Sequence, residues 1–188
     1  ESGGSWESVK AMMAGVLWLT LTPSSRTGSK NRGKERARIV QGTERRHRMK
    51  LGLQLGYWSA QPPTNHAALV AAAEEADFDT VFTAEAWGSD AFTPLAWWGR
   101  ETSKLRLGTS VVQLSARTPT ACAMASLTLD HLSGGRHILG LGVSGPQVVE
   151  GWYGQRFPKP LARTREYIDI VRQVWARQAP VTSAGPHY

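Results

Sequence analysis

The stretch LDHLSGGRHILGLGVSG, Leu129 to Gly145, decides the fold of this chain. It reads as the end of a helix, a glycine stop at 133–135, a short apolar strand and a Gly-x-Gly-x-x-Gly turn at 140–145. In α/β proteins, ligand pockets form from the backbone that follows the carboxyl ends of parallel strands. The stretch therefore predicts a parallel sheet with a binding site after this strand.

Strand-like and helix-like patterns alternate from Met49 to Tyr188. The patterns predict strands at 50–56, 79–83, 105–112 and 137–141, and helices at 64–76 (with Thr64 as N-cap), 92–102, 118–132, 146–152 and 160–176. This order predicts right-handed βαβ units in an α/β fold with a parallel sheet. Periodicity leaves two architectures open, a doubly wound sheet and a (β/α)₈ barrel.

The net charge of +7 is concentrated in the first 48 residues. Residues 1–48 hold ten Lys and Arg against four Asp and Glu, whereas residues 49–188 hold twelve against eleven. The basic character therefore belongs to a leader rather than to the part with folded patterns. We treat residues 1–48 as a basic, disordered leader and residues 49–188 as the domain.

Three interpretations of the leader remain open. It is upstream sequence read in frame before a natural start at Met49, a basic tail, or a targeting segment around the apolar run 11–21. That run is too short to span a bilayer, so no membrane association is expected. A tail that binds nucleic acid is disfavoured, because no aromatic residues are interleaved with the basic residues between Arg26 and Arg48.

Cysteine and histidine usage argues against disulfide and metal chemistry. Cys122 is the single cysteine and lies in an apolar helical run, so we expect a buried core residue. His66, His131 and His137 have no metal-site spacing with Cys or acidic residues, so no metal is expected. We expect a cytoplasmic protein.

Five landmarks of residues 49–188 together resemble one family. They are the start at 49–53, the acidic turn at 82–87, the strand end at 107–111, the stretch 129–142 and the helix segment 163–167. In order and spacing they are similar to the luciferase-like monooxygenases and their coenzyme F420-dependent relatives. The resemblance implies a (β/α)₈ TIM barrel and an oxidoreductase that acts on a small-molecule substrate, with a homodimer as the full-length form.

A complete barrel needs about 250 residues, whereas 140 follow Arg48. We therefore expect the first four βα units, that is, the N-terminal half of a luciferase-like barrel. Such a half would leave two sheet edges open and would be inactive on its own.

The resemblance places a cofactor wall at Thr109, Ser110 and Val111. In related enzymes a non-proline cis peptide forms a bulge here, and its backbone supports one face of the cofactor ring. From the residues themselves, 109–112 also suits an ordinary strand.

The loop after the 137–141 strand supplies a second group of candidates, Gly142, Val143 and Ser144. Glycines keep side chains away from the strand end, so that a planar ring or a phosphate can approach. The alternative is a tight turn that holds no ligand.

Glu85 is the candidate catalytic residue, because it directly follows an apolar strand. A carboxylate there can hydrogen-bond the edge of a deazaflavin or transfer a proton, and burial would tune its pKa. The alternative is a solvated loop acid. Ala86 follows it, where related deazaflavin enzymes often carry a histidine.

The resemblance implies coenzyme F420 as cofactor, with hydride transfer to or from a small organic substrate. FMN and an oxygen-dependent monooxygenation form the alternative. A non-catalytic fragment whose basic leader binds nucleic acid is the alternative from another class.

Overall fold

The computed structural model describes the backbone of residues 17–20 and the whole of residues 49–188. The expectation of a disordered leader, and of a signal or nucleic-acid-binding segment within it, falls outside these residues except at Leu17–Thr20. Those four residues form a strand that the sequence patterns did not predict.

Strands and helices alternate along the described chain as expected. The elements are β1 (Leu17–Thr20), β2 (Gly52–Gln54), α1 (His66–Glu75), β3 (Thr80–Thr83), α2 (Phe92–Gly99), β4 (Arg106–Thr109), β5 (Val112–Gln113), α3 (Pro119–Leu132), β6 (His137–Gly142), α4 (Pro146–Val149) and α5 (Pro160–Ala176). No helix among them is both long and apolar enough to cross a membrane.

All the described strands belong to one sheet, in the order β1-β6-β4-β3-β2. The pairs β2–β3, β3–β4 and β4–β6 are parallel, and short β5 also pairs with β6 in parallel. From β2 to β6, each parallel strand is therefore added on the same side as its predecessor. A doubly wound sheet would reverse this order at a switch point, so the winding is that of a barrel.

The two faces of the sheet are built differently. The outer face packs on the helices through a core that includes Val81, Leu107 and Leu139 from the strands and Leu95 and Tyr167 from the helices. On the inner face, a Cβ at Gly52 or Gly108 would come within 2.8 or 2.4 Å of the Phe82 ring. The aromatic ring therefore fills the space that these two glycines leave on neighbouring strands.

Several helix and turn predictions are confirmed. Thr118 caps α3, since its hydroxyl accepts the backbone N–H of Ala121 at 3.3 Å. Gly134 and Gly135 have φ of 68° and 85°, the left-handed conformation that ends the helix. The Asp130 carboxylate then accepts the backbone N–H of His137 at 3.2 Å, which fixes the turn into β6.

Other boundaries differ from the patterns. Helix α1 has Asn65 and not Thr64 as its N-cap, and no side chain caps it. Helix α2 ends at Gly99, and its first turn is capped by Asp90, whose Oδ1 accepts the N–H groups of Phe92 and Thr93 at 2.8 Å. The strand expected at 105–112 is divided into β4 and β5, because the chain bulges at Ser110 and Val111.

The expectation of two open sheet edges is wrong for β6. Strand β1 pairs antiparallel with it, from Leu17 opposite Leu141 to Thr20 opposite Ile138. The pairing satisfies backbone groups that an open edge would leave to water.

Glu74 holds the loop between α2 and β4 to the end of α1. Its carboxylate accepts the backbone N–H groups of Ser103, Lys104 and Leu105 at 2.7–2.9 Å and the Ser103 hydroxyl at 2.8 Å. Burial acts to raise the pKa of this carboxyl, but these hydrogen bonds outweigh it and lower the pKa to about 2. The ionised carboxylate therefore stabilises the fold.

We expect Glu74→Gln to lower the free energy of unfolding at pH 7. Because the folded-state pKa is depressed, the unmutated chain keeps this contribution above pH 4.5 and loses it as the pH falls towards about 2. The variant should lack that part of the pH dependence. Urea unfolding between pH 2 and 7 measures both effects, with Glu75→Gln on the exposed neighbour as control. Equal losses in the two variants would contradict this account.

Candidate functional site

The bulge between β4 and β5 lies at the carboxyl end of the sheet. The Ser110–Val111 peptide bond is cis, as the family resemblance implied. The backbone N–H of Ser110 donates to Thr83 O at 2.6 Å, and Ser110 O accepts a hydrogen bond from Gln54 Nε2 at 3.2 Å. The bulge is thus held by the strand ends of β2 and β3.

Gly142 is the residue against which this bulge packs. A Cβ at position 142 would lie 2.4 Å from Cγ2 of Val111. The space left by the glycine is therefore occupied by Val111, the residue before β5, which packs against β6 at this point. The glycine is required by this close approach within the protein.

Thr109 has a structural position in the sheet. Its side chain is fully buried, and its hydroxyl donates to Gly140 O at 2.9 Å and accepts the Gly140 N–H at 2.8 Å. The backbone of β4 pairs with β6 at Leu107 and Gly108. The Thr109 side chain therefore extends the hydrogen bonding between the two strands by one residue. Its hydroxyl is occupied by these two bonds.

The loop after β6 presents a polar atom without a protein partner. The Ser144 hydroxyl oxygen is buried and has no hydrogen bond among the described residues, and the residue has a left-handed φ of 58°. Its neighbour Val143 packs against the hydrophobic core. An unpaired buried hydroxyl is costly, so it marks a position where a ligand atom could complete the bonding.

Glu85 is buried, with 4% of its surface exposed, and both carboxylate oxygens have partners. Arg117 donates to Oε1 at 2.8 Å and to Oε2 at 3.1 Å. Oε2 also accepts the backbone N–H of Gln113 at 3.0 Å, and the Gln113 side chain donates to Glu85 O at 2.8 Å. This carboxylate joins the end of β3 to the segment that runs from β5 into α3.

The Glu85–Arg117 ion pair lies on the helix side of the sheet. Two residues earlier, Thr83 donates its hydroxyl to Ala91 O just before α2, and the Arg117 guanidinium lies 5.3 Å from the Phe92 ring centroid. Glu85 therefore faces the helix layer, whereas Val111 covers Gly142. Its arrangement suits a residue that positions the bulge, and its catalytic role stays a prediction.

Other buried titratable groups serve the core. Burial raises the pKa of the Cys122 thiol to about 11, so this cysteine is a neutral core residue as expected. Burial also lowers the pKa of His137 to about 4, and the neutral ring hydrogen-bonds Leu107 O at 2.8 Å. Within residues 49–188, no group of three or more His, Cys, Asp or Glu side chains is arranged to hold a metal ion.

Sequence reasoning missed two residues of this region. Gln54 is a polar residue near the end of an alternating strand, and that alternation is a signal for an inward-facing side chain. Arg117 carries no such signal, because 32 residues separate it from the carboxylate that it pairs with.

We expect Arg117→Met to destabilise the chain by about 3–5 kcal/mol, because it leaves the buried Glu85 carboxylate without its counter-charge. The double variant Glu85→Gln/Arg117→Met should lose less than the sum of the single variants. Urea unfolding of the unmutated chain, Glu85→Gln, Arg117→Met and the double variant measures this coupling. Arg100→Met, at a highly exposed arginine, is the control. Additive losses would show that the two residues act independently.

Comparison with known proteins connects this geometry to one family. The family described as luciferase-like monooxygenase matches residues 38–188. A protein of Mycobacterium tuberculosis, provisionally named a coenzyme F420-dependent oxidoreductase, is 89% identical over 140 residues, which are 74% of this chain and 40% of that protein. The F420-dependent glucose-6-phosphate dehydrogenase of Kineococcus radiotolerans is 34% identical over 157 residues, 72% of this chain and 44% of that enzyme.

Solved structures agree with the sequence comparison. The coenzyme F420-dependent tetrahydromethanopterin reductase from Methanopyrus kandleri superposes with a TM-score of 0.63 at 25% identity, over 73% of this chain and 43% of the reductase. The chain thus spans less than half the length of each of these three proteins. It belongs to the luciferase-like monooxygenase family, and its four βα units are part of that family's (β/α)₈ barrel.

Proposed function

We propose that residues 49–188 carry part of the cofactor site of a coenzyme F420-dependent oxidoreductase. All three relatives named above are F420-dependent by name, and one of them is identical to this chain at 89% of 140 residues. This likeness favours F420 over FMN as the cofactor. The reaction would be hydride transfer to or from a small organic substrate.

The observation that carries the proposal is the wall formed at the carboxyl end of the sheet. Val111 covers Gly142, and the buried Ser144 hydroxyl in the following loop has no partner among the described residues. An apolar contact between Val111 and Gly142, with an unpaired hydroxyl two residues further along the chain, fits a planar ring that carries polar edge atoms.

Each predicted site residue has a role in this proposal. Ser110 and Val111 would support one face of the ring, and Gly142, Val143 and Ser144 would border it. Thr109 fastens β4 to β6 beneath this wall through its two hydrogen bonds to Gly140.

Glu85 would act from behind the wall. The contacts of its carboxylate to Arg117 and to the Gln113 N–H hold the segment that follows Val111. We therefore assign to Glu85 the positioning of the bulge, and its proton-transfer role stays a prediction. When bound, the deazaflavin ring supplies the hydride chemistry, and the residues named here bind and orient it.

The whole protein's properties are part of the proposal. Because the chain spans less than half of its relatives, we infer that cofactor binding needs the barrel units that the relatives have in addition. The chain by itself would then be inactive. We further propose that the longer form is a cytoplasmic homodimer.

A chimera tests this function. Residues 49–188 would be joined to the part of the Mycobacterium tuberculosis relative that lies beyond the matched 140 residues. We expect F420 to quench its tryptophan fluorescence with an affinity at least tenfold above that of FMN. The change Gly142→Ala should weaken F420 binding at least tenfold, because its methyl group would displace Val111.

Thr128→Ala, on the exposed face of α3, is the matched control and should leave the affinity unchanged. Circular dichroism establishes that each chimera is folded. A folded chimera that prefers FMN would assign the alternative cofactor, and one that binds neither would overturn the proposal.

A further inference from the structure

Strand β6 has both of its edges paired. One edge faces β4 and β5, through His137 and Ile138 and then through Leu141 and Gly142. The other edge faces β1, with Leu17 opposite Leu141 and Thr20 opposite Ile138. Four consecutive residues from upstream of the domain thus cover most of the outer edge of this six-residue strand.

The same edge is the place where the winding of the sheet would add its next strand. Strands β2, β3, β4 and β6 follow one another in space as in sequence, each parallel to the one before. Helix α5 follows β6 and contributes Tyr167, Ile168 and Val171 to the core shared with the other helices. A right-handed βαβ connection through α5 would therefore bring a parallel strand to the outer edge of β6.

The outer edge of β6 can pair with one strand at a time. Each backbone N–H and C=O group that β6 directs to this edge pairs with only one partner strand. Strand β1 is antiparallel to β6, whereas a further barrel strand would be parallel to it. The two strands would compete for one set of backbone groups.

We propose that β1 pairs with the outer edge of β6 and competes for this edge with the next strand of the barrel. Its pairing protects the edge of residues 49–188 and hinders the addition of further barrel units. The partner that this edge fits is a parallel strand from the remaining part of a luciferase-like barrel. This inference rests on the pairing of the sheet and is independent of the cofactor.

Paired proline substitutions test the proposal in the full chain. In an antiparallel pair, one of any two adjacent residues directs its N–H to the partner strand, so Trp18→Pro/Leu19→Pro removes a donor from β1. We expect faster amide hydrogen exchange at residues 138–141 of the variant. The double change Ser24→Pro/Ser25→Pro, outside the paired residues, is the matched control and should leave this exchange unchanged.

The competition is measured with a polypeptide that contains the part of the Mycobacterium tuberculosis relative beyond the matched 140 residues. We expect the Trp18→Pro/Leu19→Pro chain to bind this probe at least tenfold more tightly than the unmutated chain and the control. Equal exchange in all three chains would overturn the proposal. Equal affinity, including an absence of binding, would overturn it as well. Neither readout uses a cofactor, so failure of the proposed function would not affect the result.

Discussion

The buried ion pair between Glu85 and Arg117 is the constraint on which the carboxyl end of the sheet depends. A charge at 4% exposure is tolerated only with a counter-charge and good hydrogen-bond geometry, and Arg117 supplies both oxygens of the carboxylate with a donor. The pair therefore fixes the chain on both sides of Gln113, and with it the position of Val111. Helix α5 joins this arrangement through Tyr167, whose hydroxyl donates to Arg117 O at 3.2 Å. One carboxylate thus connects strand ends, bulge and helix layer.

The inner face of the sheet follows a second constraint, in which glycines provide room for large neighbours. Phe82 fills the space beside Gly52 and Gly108, and Val111 fills the space beside Gly142. The glycines at 140–145 were interpreted as room for a ligand, whereas at Gly142 the structure assigns that room to Val111. The room beside Gly142 holds an apolar side chain, so that a ring bound there would rest on Val111 rather than on the glycine itself. The glycine at this position is therefore required by the packing of Val111.

Local chemistry determined which elements the sequence predicted well. Helices α3 and α5 were expected at nearly their observed limits, because Thr118 and Pro119 mark the start of α3 and the Gly134–Gly135 pair marks its end. The Thr64 cap and the continuous strand at 105–112 failed for different reasons. Asn65 begins α1 without any side-chain cap, and strand propensity at 109–112 is overruled by hydrogen bonds from Ser110 to Thr83 and from Glu85 to Val111. The ion pair and the leader strand join residues far apart in sequence, where periodicity carries no information.

The outer core of this sheet and its inner face differ in the sequence separation of the residues that pack there. Val81, Leu107 and Leu139 are buried by helices that directly precede or follow their strands, so each βα unit contributes to the outer core through contacts that are short in sequence. The inner face and the edge of β6 have no such neighbours within a βα unit. The inner-face glycines are packed by Phe82 and Val111 from neighbouring segments of the sheet, and the edge of β6 is covered by β1, more than 100 residues upstream of β6. The helix–sheet layer of a barrel can therefore form unit by unit, whereas its interior and its closing edges depend on segments that arrive from elsewhere in the chain.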